Sequence, residues 1–138
     1  MPDDLIPIED KLRPQDIGDD TILLIRGGPL TGEKLVEHAE RQMRDFSLRG
    51  APMASISVDG LVAGWTVELV LRERLWSRSQ FATATAGAVR AAGFEVLPTH
   101  DAPHFDVVFV EATLAEAGRL LDVFGPPEDN PFKKRGRR

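Results

Sequence analysis

The chain has 138 residues, 42% of them apolar, no cysteine and a formal net charge of −5 at pH 7. That size and apolar share suit one globular domain with a real core and exclude a wholly disordered chain. No run reaches the roughly 18 apolar residues of a membrane span, and the lack of thiols excludes disulfides and thiolate metal sites.

The charge is unevenly placed. The last six residues, KKRGRR, hold five of the 17 basic side chains, so the rest of the chain carries −10. A body that acidic is a poor non-specific binder of nucleic acid phosphates, although the tail adds local attraction. The opening MPDDLIPIEDKLRPQD is acidic and proline-rich, unlike a secretion signal. A cytoplasmic protein without a membrane partner is the expectation.

In chain order, residues 1–20 lack a hydrophobic period and read as an extended arm. TILLI, from residue 21, is continuously apolar, as a central strand covered on both faces would be. Thr31 caps the helix expected over 32–47, whose apolar stripe is Leu35, Ala39, Met43 and Phe46. Its other face offers the pairs Glu37–Arg41 and Glu40–Arg44 at i,i+4 spacing. PMASISV alternates like a strand, WTVELVLRERLW reads as a helix, and SQFATAT is a third short strand before a small helix through AGAVRAAG. FEVLP and FDVVFV are two more strands. The last helix has Thr113 and Glu116 at capping-box spacing, and Gly125 before Pro126 predicts a left-handed cap. The expected fold class is therefore α+β, in the order β-α-β-α-β-α-β-β-α. One domain over 21–125 would form a single mixed sheet of about five strands with three to four helices packed on it. Residues 126–138 read as a Pro-rich and then basic tail.

The chemistry concentrates where the first strand ends. Arg26, Gly27 and Gly28 stand between a buried strand and a helix start. Glycines let backbone approach a ligand, Arg26 offers a bidentate fork for phosphate, and Thr31 opens a helix whose first N–H groups favour an anion. RGGPLTGE matches neither a Walker loop nor the dinucleotide fingerprint, and Pro29 removes one donor. The ordinary alternative is a plain turn with Arg26 paired to a carboxylate. Three histidines exist, at 38, 100 and 104. His38 sits at the border of its helix's apolar stripe. His100 and His104 bracket HDAPH, and with Asp101 they suit acid–base work on an RNA backbone near neutral pH. His104 is the stronger candidate because a strand follows it directly. The catalytic assignment is thus His104 with His38, the phosphate-binding assignment Arg26, Gly27, Gly28 and Thr31, and no metal ligand set is recognised. Ser55 and Ser57 share a strand face without the setting of a nucleophile elbow.

IRGG, SIS and FEVLP together resemble the Arg–Ser–Glu order of ADP-ribosyltransferase-type toxins, which would imply roles for Arg26, Ser55 and Glu95; Gly93 stands where that family carries a second glutamate. More broadly, RGG, ISV, AAGFE and FGPPEDNPF resemble small uncharacterised proteins of high-GC bacteria in mobile or toxin–antitoxin-like cassettes. That resemblance implies a protein partner, an antitoxin or complex subunit. The leading expectation is a toxin-like domain acting on RNA or a nucleotide without a cofactor, since acid–base chemistry on a 2′-hydroxyl needs none. The alternative is a non-enzymatic module that docks a partner through its arm and tail.

Overall fold

The computed structural model describes residues 5–7 and 17–133. The elements run β1 (Ile6–Pro7), β2 (Ile22–Gly27), α1 (Gly32–Asp45), β3 (Phe46–Leu48), β4 (Ala51–Pro52), β5 (Ser55–Gly60), α2 (Val67–Glu73), β6 (Gln80–Thr85), α3 (Ala86–Ala91), β7 (Glu95–Pro98), β8 (His104–Val108), α4 (Leu114–Val123) and β9 (Glu128–Asp129). The main sheet has six strands in the order β7-β8-β5-β2-β6-β9. Every pairing in it is antiparallel, so the expected mixed direction is corrected. A separate three-stranded sheet joins β1, β3 and β4.

The central strands explain the layering. Leu23 and Ile25 of β2 join Ile56 and Val58 of β5 in the larger core, which α1 meets with Leu35 and Ala39, α3 with Val89, and α4 with Ala117 and Leu120. On the other side Leu24 and Phe81 pack against Val70, Leu71 and Leu75, in and just after α2. Alternation along β2 therefore serves two cores at once, which is why TILLI reads as unbroken apolar sequence.

Helix starts follow the sequence closely. Thr31, Thr66, Thr85 and Thr113 each accept the N–H of the third residue on, an N-cap contributing about 1 kcal/mol. Helix ends follow it less well. Phe46 leaves the α1 stripe for β3, and Met43 is exposed. Gly125 carries no left-handed backbone; its N–H donates to Thr83 O, drawing the chain back to the sheet. The segment expected to be a tail then adds β9 to β6, and Asn130 is buried, donating to the carbonyls of Leu75 and Arg78. Residues 1–4 and 8–16 of the expected arm and the basic 134–138 lie outside the described residues.

Candidate functional site

β2 pairs with β6 along its whole length, from Ile22–Thr85 to Gly27–Gln80. With β5 it pairs only at Leu23–Gly60 and Leu24–Asp59. Beyond that point the two strands part, and α1 reaches in. His38 Nε2 accepts the backbone N–H of Ser57 at 3.4 Å. One turn later, Gln42 Nε2 donates to Ser55 Oγ at 3.2 Å. Residues four apart on a helix thus meet residues two apart on a strand, as the two periods require. Because a backbone amide can only donate, Nε2 of His38 is unprotonated and the neutral ring carries its proton on Nδ1.

Arg26 lies beside this opening. Its Nη1 donates to Asp59 Oδ2 at 2.9 Å, while Arg74 Nε donates to Asp59 Oδ1 at 2.7 Å. Asp59 is fully buried, so one carboxylate holds two guanidiniums. Burial pulls the Arg26 pKa below its ordinary value, opposed by Asp59 and reinforced by Arg78 and Arg74. Burial likewise lowers His38, to about 4, with Arg26, Arg41, Arg78 and His104 adding repulsion.

A cavity of about 180 Å³ opens here, walled by Arg26, Gly27, Gly28, His38, Arg41 and Arg78, with the Lys34–Glu37 pair at its rim. Of the residues assigned from sequence, Arg26, Gly27, Gly28 and His38 therefore come together. The two glycines line the cavity and also meet a local packing need. A Cβ on Gly27 would stand 2.9 Å from Leu30 Cα and Pro29 O, and one on Gly28 would stand 2.8 Å from Ser79 Oγ. A side chain on Gly27 would strike its own turn, and one on Gly28 would strike the segment just before β6. Thr31 is reassigned: its hydroxyl accepts from Lys34 N, and it does not line the cavity. The amide of Leu30 is occupied by Gln80 Oε1, so the cradle is made of side chains more than of backbone. Glu37 pairs with Lys34 instead of Arg41; among the described residues neither Arg41 nor Arg78 has an ion-pair partner.

His104 does not line the cavity; it is linked to it electrostatically, through His38 and Arg26. Thr99 Oγ1 donates its single proton to Asp106 Oδ2 at 2.7 Å and lies 2.7 Å from His104 Nδ1. The hydroxyl proton being committed, Nδ1–H of His104 must donate to Thr99, which leaves Nε2 as the basic nitrogen. Asp106 is fully buried and also accepts from Ser55 and Gln42. The relay from Asp106 through Thr99 thus sets the His104 tautomer. Burial lowers the His104 pKa, with Asp106 opposing and His100 and Arg26 adding to the shift. The His100 ring meets that of His104 edge-on, with centroids 4.8 Å apart. Among the described residues no group of three or more His, Asp and Glu side chains is placed to hold a metal ion.

No protein-family model, curated protein or solved structure matches this chain. The site therefore has to be read from its own geometry. The Arg26–Ser55–Glu95 set does not converge: Ser55 is buried against Asp106 and Gln42, and Glu95 of β7 pairs with Arg49, in the turn between β3 and β4. Sequence reasoning missed Asp59, Arg78, Arg41, Thr99 and Asp106. An aspartate within an apolar strand run was the available signal for Asp59 and Asp106, because a buried carboxylate demands partners. Nothing local marks Arg78, which reaches the site only because β6 lies beside β2.

Proposed function

We propose that this chain is a toxin-like bacterial domain that acts on RNA or a nucleotide, with a phosphate group seated in the Arg26 cavity. The observation that carries this reading is that Arg26, Arg41, Arg78 and His38 line one small cavity. Guanidiniums suit phosphate because their planar N–H forks match its oxygens. The Nδ1–H of neutral His38 supplies a further donor. Nε2 of His104 is the proton acceptor for a ribose 2′-hydroxyl lying at the cavity mouth, and Asp106 and Thr99 position the His104 ring. The 2′-oxygen attacks the phosphodiester on the same ribose, and the 5′-oxygen of the next nucleotide leaves as it takes up a proton. Both imidazoles are neutral near pH 7 in the free protein. A bound phosphate offsets the surrounding guanidiniums and raises the pKa of His38, and a ring that takes a proton on Nε2 gives up the Ser57 bond and becomes a proton donor. Cleavage of RNA in vitro and growth arrest on expression are the measurements: Arg26→Ala and His104→Ala are each expected to abolish the effect. Retention of both activities by both variants overturns the mechanism.

A second reading, a non-enzymatic module that docks a protein partner, is favoured by a different feature. A groove of about 840 Å³ runs along Met43, Met53, Phe109 and Val110, away from the cationic cavity. Val110 is 87% exposed, an apolar side chain without cover among the described residues. A stable stoichiometric complex with a co-expressed partner, formed without turnover and lost on Val110→Glu, supports this module over the enzyme.

A further inference from the structure

The cavity's size and charge narrow what it takes. A volume of about 180 Å³ lies below the roughly 300–1,000 Å³ of pockets that engulf a drug-sized ligand, so a whole nucleotide does not enter. The cations also line one small cavity instead of a track along the surface, which suits a single phosphate group. Their balance is informative. Lys34 is offset by Glu37, and Asp59 offsets one of the two guanidiniums it holds. Arg41, Arg78 and the remaining charge of the Arg26–Arg74 pair are uncompensated among the described residues. A phosphodiester brings one negative charge to such a point; a phosphomonoester brings nearly two, with more oxygens free to accept.

We infer that the cavity is a receptor for a terminal phosphomonoester, the phosphorylated end of a nucleotide or an RNA strand, with the nucleoside held outside it. The inference rests on the phosphate-binding reading above and specifies its ligand. Arg26 and Arg78 grip the phosphate from the strand side, Arg41 closes it from α1, and the Nδ1–H of His38 adds a neutral donor.

The test is calorimetric titration of the full chain with adenosine 3′-monophosphate, adenosine 5′-monophosphate, inorganic phosphate, and adenylyl-adenosine lacking a terminal phosphate. At least one monoester should bind about tenfold or more tighter than the diester, and Arg78→Ala and Arg41→Ala, both at exposed positions, should each weaken it by about tenfold. Unchanged thermal unfolding of those variants guards against loss of fold. Diester binding as tight as monoester binding, still dependent on Arg26, overturns the terminal-phosphate inference and leaves the phosphate site standing. No binding of any of these probes or of single-stranded RNA overturns both.

Discussion

The imidazole of His38 accepts the backbone N–H of Ser57 at 3.4 Å and so takes the place of a strand where β2 and β5 part. A buried N–H without a partner costs about 1–3 kcal/mol, and the imidazole removes that cost while bringing a titratable ring to the cavity. The bond exists only while Nε2 lacks a proton. Structure and protonation are therefore linked at this residue.

Stability should consequently fall in mild acid. The folded pKa of His38 is about 4, against an ordinary value of 6.5, so between these values the unfolded chain binds the extra proton. Stability rises with pH through that window, and the effect of His38 vanishes above it. The loss from pH 7 to pH 4 amounts to about 3 kcal/mol at most from this residue. Urea unfolding at pH 7, 5.5 and 4.5 checks it: His38→Gln, which keeps an acceptor but does not titrate, should flatten the slope. The same dependence in the variant would refute the assignment.

Asp59 should matter more to folding than Arg26. Replacing Arg26 with Met leaves Asp59 held by Arg74, whereas Asp59→Ala leaves two guanidiniums facing each other without a counter-charge. Breaking a buried pair from the side that strands charge costs about 3–5 kcal/mol. Chemical denaturation should place Asp59→Ala well below Arg26→Met, and the reverse order would show that Arg74 does not share the carboxylate.

Asn130 is expected to tie the C-terminal segment to the site. Its side chain donates to Leu75 O and Arg78 O and accepts from Phe132 N. At about 1 kcal/mol per hydrogen bond, Asn130→Ala should cost roughly 2–3 kcal/mol. Because one of the anchored carbonyls belongs to Arg78, the variant should also bind adenosine monophosphates more weakly. Thermal unfolding and calorimetry read the two effects separately; full stability in Asn130→Ala would contradict the role.

Gly60 tests the packing between the central strands. A Cβ there would stand 2.6 Å from the Phe105 ring and 3.4 Å from Leu23. Both neighbours are completely buried, so the ring has nowhere to move. Gly60→Ala should destabilise by about 1–3 kcal/mol through overpacking. Pairing it with Phe105→Leu should recover part of the loss, and strictly additive costs would rule out this contact as the cause.

Much of the architecture is legible in the sequence. The four helices and the six-strand sheet's β2, β5, β6, β7 and β8 follow from apolar period and polar caps, because those signals act within a turn or two of chain. β3, β4 and β9 were not legible. Two- and three-residue strands carry too little pattern, and Glu128–Asp129 is strand only because β6 offers a free edge. Gly125 shows the same limit. Its proline neighbours suggested a left-handed stop, but a hydrogen bond to Thr83 decided its conformation.

At the site, the sequence by itself determined where a guanidinium, a tight glycine turn and three imidazoles stand along the chain. Only the tertiary structure decided that Arg26 and His38 share a cavity, that Thr31 serves the helix, and that Asp106 orients His104 through Thr99. The physical reason is range. Capping and periodicity are local, whereas the charge and tautomer of a buried group are set by whatever distant side chains the sheet order brings within a few ångströms of it.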